Sequence, residues 1–261
     1  MITRRKFIGG MLGAGLSGPV LLKLWANGTP FPDACRVLSV KIPAPAGWAG
    51  KTALFVTDVH YGYFFGPTET ALLNKIVVNH KPDIVLMGGD LAQAPTTDLA
   101  GFFSHWSPGC PTLFSPGNHD ITENLTSSIL PQAREAGMTV LCNQTEIWNG
   151  ITFIGLPSAL RAKQKLSLLE EPGLKFILGH EPDVWDSYTQ SDLIHLAGHT
   201  HGGQIRLLGS PPYLPTLGRK YPQGQFFGES NRSLIVSAGI GCTDVPVRIS
   251  CPPEIIKLEF V

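Results

Sequence analysis

The sequence predicts an α/β fold in which sheets are covered by helices and the strand ends carry polar side chains. Three observations lead there. Short apolar runs alternate with segments of helical period through the first half of the chain. Five times such a run ends in a glycine-associated cluster of Asp, Asn or His: Asp58-Val-His60, Gly89-Asp90, Gly117-Asn118-His119-Asp120, Gly179-His180 and Gly198-His199-Thr-His201. The 29 glycines and 22 prolines concentrate in the joining stretches, as a loop-rich scaffold requires.

With 261 residues, 43% of them hydrophobic and 15% charged, the chain can bury one sizeable core, enough for one catalytic domain. Lys plus Arg (20) equals Asp plus Glu (20), so no global field attracts nucleic acid, which argues against a nuclease. Cys35, Cys110, Cys142, Cys242 and Cys251 follow no zinc-finger or redox spacing. They read as buried or incidental thiols, with a Cys242–Cys251 disulfide as the alternative for a domain working outside the cytoplasm.

The elements follow in order. Residues 1–30 read as an address: Arg4-Arg5-Lys6-Phe7 precedes a glycine-rich apolar stretch, Ile8 to Leu22, too short to span a bilayer comfortably. This looks like a twin-arginine export signal, and the alternative is an uncleaved basic anchor. In either case the charged end stays in the cytoplasm, so a translocated domain lies beyond the membrane, periplasmic or on its outer face. Residues 31–49 form a linker and lead-in strand, Pro-rich near Pro43, and residues 50–261 form the main domain.

Ala53 to Thr57 is a strand delivering Asp58, and continued strand geometry would put Asp58 and His60 on one side. A helix is expected from Thr68 to Asn79, with Leu72, Leu73, Ile76 and Val77 on its apolar face and Pro82 at its exit. Ile84 to Met87 is a strand reaching Gly89-Asp90. A helix from Asp98 to Trp106 leads to a strand at Thr112 to Ser115 and the Asn118-His119-Asp120 turn. Thr139 to Cys142, Glu146 to Trp148 and Ile151 to Ile154 read as strands, the last two joined by an Asn149-Gly150 hairpin turn. Lys175 to Leu178 and Leu193 to Leu196 each end at a cluster, and Leu234 to Ser237, Val245 to Ile249 and Ile255 to Phe260 are expected to close a second sheet.

Asp, Asn and His are hard or borderline metal ligands, and an α/β fold presents chemistry at its strand tips. The ordered set D-x-H, G-G-D, G-N-H-D, G-H and G-H-T-H resembles the signature of the calcineurin-like metallophosphoesterases over about residues 50–261. A single such motif would mean little; five in order are specific. The resemblance implies a four-layer α/β/β/α sandwich of two mixed sheets flanked by helices. It also implies two divalent metal ions (manganese, iron or zinc) and hydrolysis of a phosphoester, with a phosphodiester favoured. Carried over, Asp58, His60 and His201 would bind one ion, Asp90 would bridge, and Asn118, His180 and His199 would complete the second. His119 would be the catalytic imidazole and Asp120 would orient it. Two such ions activate water, clamp phosphoryl oxygens and stabilise the leaving oxygen.

The later Arg219-Lys-Tyr221 and the Ser237 to Gly241 and Pro246-Val-Arg248 ending resemble a bacterial phosphodiesterase branch whose members are often exported or membrane-associated. Gly155-Leu-Pro-Ser-Ala-Leu-Arg161 stands where many relatives carry a Gly-Val-Asp-Asp segment, so the substrate rim is expected to differ. The expected partners are a phosphoester substrate, lipid- or nucleotide-linked, and the twin-arginine translocation machinery. Two alternatives compete. One is a UDP-2,3-diacylglucosamine pyrophosphatase of lipid A synthesis, which needs the cytoplasmic face of the inner membrane. The other is a non-catalytic metal-binding interaction module, which the retention of His119 opposes. His80, His105 and His195 fall outside the clusters, and His195 reads as a structural imidazole. Tyr61, Tyr63, Phe64 and Phe65 read as core or as an acyl-chain or base contact, and Arg206, Arg219 and Lys220 as loop charges or phosphate ligands.

Overall fold

A computed structural model of the chain describes residues 31, 34–123, 128–207 and 209–261. The proposed signal, including Arg4, Arg5 and the apolar stretch from Ile8 to Leu22, lies outside the described residues. Among the described residues no helix is long and apolar enough to cross a membrane.

Among the described residues, twelve strands form two six-stranded mixed sheets. The first has the order β1 (Arg36–Ile42), β12 (Glu254–Phe260), β2 (Thr52–Val56), β3 (Ile84–Met87), β4 (Thr112–Phe114), β5 (Thr139–Val140). From β2 to β5 the pairing is parallel, and β12 runs antiparallel to β2 but parallel to β1. The second has the order β10 (Gly224–Phe227), β11 (Arg232–Val236), β9 (Leu193–Ala197), β8 (Lys175–Gly179), β7 (Ile151–Leu156), β6 (Gln144–Trp148). Its four central strands are parallel, with antiparallel edges.

Parallel strands covered on both faces need apolar side chains in both directions, and β3, β8 and β9 are buried throughout. Alternation divides the rest. In β2, Ala53 and Phe55 face the space between the sheets, packing with Leu86, Phe153, Phe176, Leu178 and Phe260. Leu54 and Val56 face outward, beneath Leu73 and Val77 of helix α1 (Pro67–His80) and Phe102 of α2 (Ala100–Phe103). On the far face of the second sheet, Ile154, Ile177 and Leu234 are covered by Leu169, Trp185 and Tyr188 from the 3₁₀ segments Leu166–Glu170 and Pro182–Ser187 and the turn that follows. The fourth layer of the sandwich is therefore 3₁₀ helix, with α-helix on the first sheet.

Helix α1 starts with Pro67 at its first position and Glu69 Oε2 accepting from Gly66 N (2.9 Å), and ends where Lys81 turns left-handed before Pro82. The hairpin turn at Asn149-Gly150 has positive φ at both residues (47° and 82°), the type I′ geometry that suits a twisted ribbon.

Three expectations are corrected. The Asp98 to Trp106 helix is reduced to Ala100–Phe103, with His105 N and Trp106 N bonding carbonyls three residues back. Val245 to Ile249 is not a strand: the carbonyls of Thr243, Val245 and Val247, which a ladder would use, all accept from the amide of Gln204. The C-terminal runs also separate, Leu234 to Val236 joining the second sheet within β11 while Ile255 to Phe260 enters the first within β12. Ile256, Leu258 and Phe260 complete the inter-sheet core and Ile255 the helix side.

Candidate metal centre

The ends of β2, β3, β4, β8 and β9 converge on one rim and bring the five clusters together. The strand geometry does not persist through Asp58 and His60, however. Strand β2 stops at Val56, and both residues adopt left-handed φ (56° and 53°). Asp90, His199 and His201 do the same (50°, 68° and 51°). For non-glycine residues each such conformation costs on the order of 1–3 kcal/mol, and it persists only where surroundings over-determine it. Here they do: Asp58 N donates to Gly89 O (3.0 Å), His60 N to Asp90 O (2.9 Å), and His199 N to the Asp58 carboxylate (3.0 Å). Two glycines permit the close approach. A Cβ on Gly198 would overlap Asp58 Oδ2, and one on Gly117 would overlap Asp90 Oδ1.

Two groups of ligand atoms, Asp58–His60–His201 and Asp90–His180–His199, are joined by a third, His60–Asp90–His119, with the atoms in each group within 4.8 Å of one another. Asp90 Oδ2 lies 3.0 Å from His180 Nε2 and 3.7 Å from His60 Nε2, so the carboxylate stands between the groups. His201 Nε2 is 3.3 Å from Asp58 Oδ1 and 3.0 Å from His60 Nε2. Asn118 Oδ1 is buried beside them without a hydrogen-bond partner.

The imidazoles are oriented by acceptors behind them. His60 Nδ1 meets Gln93 Oε1 (3.0 Å), His180 Nδ1 meets Gly88 O (2.9 Å), His199 Nε2 meets Thr216 O (2.8 Å) and His119 Nδ1 meets Gln93 O (2.8 Å). An oxygen acceptor fixes the proton on that nitrogen and leaves the opposite lone pair facing the centre. Imidazole lone pairs of His60 and His199 thus converge with the Asp58 and Asp90 carboxylates, a donor array suited to a cation. His180 Nε2 shows the same fit: it is buried and close to Asp90, yet has no hydrogen bond. The donor set of carboxylate, amide oxygen and imidazole suits manganese, iron or zinc.

The titration behaviour follows from burial and mutual charge. Burial, joined by Asp90 and opposed by His180, pushes Asp58 up to about 6. Burial pushes His60 down to about 3 and lowers His199 as well. Burial would raise Asp90, but the neighbouring His180, His119 and His60 hold it well below the usual carboxylate range. Burial would lower His180, but Asp90, Asp58 and Glu181 outweigh it and raise this imidazole. The carboxylates favour positive charge at His180, while burial disfavours it at His60 and His199.

One expected role is corrected. Asp120 does not touch the His119 ring: its carboxylate accepts from Ala92 N (2.9 Å) and Gly117 N (2.8 Å), tying the loop after β3 to the loop after β4. Fully buried, it is pushed up to about 6, by burial first and then by Asp90. The carbonyl of Gln93 orients His119. Gln93 serves two imidazoles, a role invisible in the sequence because a lone Gln outside the clusters carries no motif.

Among the remaining candidates, His195 is buried with Nε2 donating to Gly179 O (2.8 Å), a structural imidazole that burial pushes down to about 4. His80 and His105 bond helix carbonyls and lie apart from the ligand groups. Tyr61 and Phe65 are core, whereas Tyr63 and Phe64 are exposed. Arg206 bonds Gly202 O and Gln223, and Lys220 pairs with Asp186 (2.7 Å). None of the five cysteines forms a disulfide, and Cys251 Sγ donates to His201 O (3.2 Å).

Two mixed sheets with convergent carboxylates and imidazoles at their strand ends define a metal-dependent phosphoester hydrolase. In agreement, the calcineurin-like phosphoesterase family profile matches residues 51–203, and the chain belongs to that family. Among its relatives, it is 30% identical over 223 residues to phosphodiesterase YaeI of Escherichia coli strain K12, covering 80% of this chain and 81% of that protein. It is 28% identical to the uncharacterized metallophosphoesterase YkuE of Bacillus subtilis strain 168, over 97% of this chain and 96% of that one. It is also similar to the uncharacterized protein YpbG of the same organism, at 29% identity over 78% of each chain.

Proposed function

We propose that the chain is a dinuclear phosphodiesterase. The observation that carries this reading is the position of Asp90 between two groups of ligand atoms. In this reading Asp58, His60 and His201 hold one divalent ion, Asn118, His180 and His199 hold the other, and Asp90 serves both. When bound, the ions supply Lewis acidity toward phosphoryl oxygens and make water a nucleophile near neutral pH.

The protein's own groups do the rest. Gln93, Gly88 and Thr216 keep the imidazole lone pairs directed inward. His119, with Nδ1 held by Gln93 O, presents Nε2 to a cavity of about 200 Å³ that His60, Asp90, Asn118, His199 and His201 also line. With a second proton on Nε2, the imidazolium donates that proton to the departing ester oxygen. The name of the Escherichia coli relative supports a diester over a monoester, and none of the relatives' names favours the UDP-lipid pyrophosphatase. The test is hydrolysis by purified, manganese-loaded protein of bis(4-nitrophenyl) phosphate beside 4-nitrophenyl phosphate, with elemental analysis. Two ions per chain and a preference for the diester are expected; one ion, or monoester preference, sinks the reading.

We also propose export by the twin-arginine route with some membrane association, supported by Arg4-Arg5 and the following Gly-rich apolar stretch. Arg4→Lys with Arg5→Lys keeps the charge but changes the guanidinium geometry, and should strand active protein in the cytoplasm. A wild-type domain protected from protease in intact spheroplasts would overturn this.

A further inference from the structure

His119 forms part of the wall of two cavities. One is the metal-facing cavity; the other, about 430 Å³, lies beyond it and is lined by Gln93, Asn118, His119, Thr122, Glu123 and Arg161 among others. Because Nδ1 of His119 is held by Gln93 O, its free nitrogen is the one available to an ester oxygen. A group leaving from that oxygen has room in the second cavity.

Arg161 is the sole Lys or Arg among the residues lining either cavity. Its Nε donates to Asn118 O (3.2 Å), and its terminal nitrogens have no hydrogen bond or ion pair among the described residues. The loop that presents it is not loose. The buried carboxylate of Glu181, the residue after His180, accepts from Ser158 Oγ and from Ala159 N (2.9 Å), and Arg161 N closes the turn onto Ser158 O (3.1 Å). A buried acidic clamp beside the metal centre therefore fixes the backbone that carries Arg161, whose exposed guanidinium shares the cavity wall with the proposed proton donor. Glu123 is the opposing charge in this cavity, and it makes no ion pair with Arg161. A guanidinium with its terminal nitrogens free is suited to a phosphoryl or carboxylate oxygen pair.

We propose that this second cavity is a leaving-group subsite for an anionic alcohol, with Arg161 binding its phosphoryl or carboxylate group. The inference rests on the phosphodiesterase reading and specifies its substrate class: a diester whose departing alcohol carries a second negative charge. In hydrolysis, water loses a proton to solvent and its oxygen bonds to phosphorus as the ester P–O bond breaks. The departing oxygen takes the Nε2 proton of the His119 imidazolium, and Arg161 holds the released anion.

The test compares glycerophosphoglycerol with its derivative phosphorylated on the terminal glycerol, using the full metal-loaded protein, with bis(4-nitrophenyl) phosphate as a reference. Wild type should prefer the phosphorylated substrate in kcat/KM, and Arg161→Ala should reduce that preference about tenfold, mainly through KM. Arg161→Lys should restore part of it. If Arg161 only braces Asn118, Arg161→Ala will weaken both substrates equally and lower metal content, leaving the preference intact, and the subsite is refuted. Equal wild-type rates on the two glycerol substrates also refute it while leaving the phosphodiesterase reading standing. No hydrolysis of any diester, the reference included, overturns both.

Discussion

The space between the sheets and the rim where their strands end are both closed to water, but they are built in opposite ways. Between the sheets, Phe55, Phe153, Phe176 and Phe260 sit in regular strands at 0–1% exposure, and the ring of Phe176 packs against those of Phe153 and Phe260. At the rim, Asp58, His60, Asp90 and His180 are equally buried at 0–2%, but the first three are left-handed and His180 Nε2 has no hydrogen bond. The apolar region supplies stability that does not depend on any ion. The rim consumes part of it to hold lone pairs and carboxylates in an arrangement favourable only around positive charge.

The largest effect that would sharpen this contrast is on turnover. Asp90→Asn should remove several kcal/mol of charge stabilisation at both ions, lowering kcat/KM by on the order of 10³-fold or more. Elemental analysis of the variant still showing two tightly held ions would contradict the sharing of Asp90. His119→Ala should cost roughly 10²–10⁴-fold on an ester with a poor leaving group, with metal content unchanged.

The inverse experiment lies in the core. Phe176→Ala should destabilise the fold by about 3–5 kcal/mol in denaturant unfolding, yet leave kcat near wild type below the shifted transition. A comparable loss of kcat would mean that the two regions are not separable. Ion binding should stabilise the fold by about 3 kcal/mol at a hundredfold excess over Kd, a difference read from melting with and without chelator. No shift would show that the rim carries no strain an ion can relieve.

The smallest predicted effect concerns His195. Burial pushes it down to about 4, below the ordinary value of 6.5, so folding favours its neutral form. Its contribution is complete above pH 6.5 and is lost as pH falls toward 4, by about 2 kcal/mol between pH 7 and pH 5. His195→Leu should flatten the pH dependence of unfolding over that interval by this amount, and an unchanged slope would show that the imidazole does not titrate with unfolding.

The two regions also differed in what the sequence showed. Strand β3 was readable residue for residue as Ile84–Met87, because a run buried on both faces is apolar throughout. The Asn149-Gly150 turn and the convergence of the clusters were readable for similarly local reasons. Strand β10 was missed because Gly224–Phe227 is a short exposed edge without alternation, and Val245 to Ile249 misled because its alternating pattern is satisfied by Gln204. At the rim the candidate ligand side chains that converge were legible but their supports were not. Gly88, Gln93 and Thr216 act through carbonyl oxygens, or in Gln93 also through an isolated amide, and a carbonyl has no letter in the sequence.

The position of β12 bears on the order in which the protein is made. This strand lies between β1 and β2, yet it leaves the ribosome after the other eleven. Until it arrives, β1 has no partner in the first sheet and Phe260 is absent from its place against Trp48 and Phe176. The nascent chain can therefore assemble β2 to β5 early, but it must keep a gap in its first sheet through most of synthesis. That gap closes only once β12 has been made, and a chain stalled just before β12 would leave the facing edge of β2 and the whole of β1 open to chaperones or to another nascent copy.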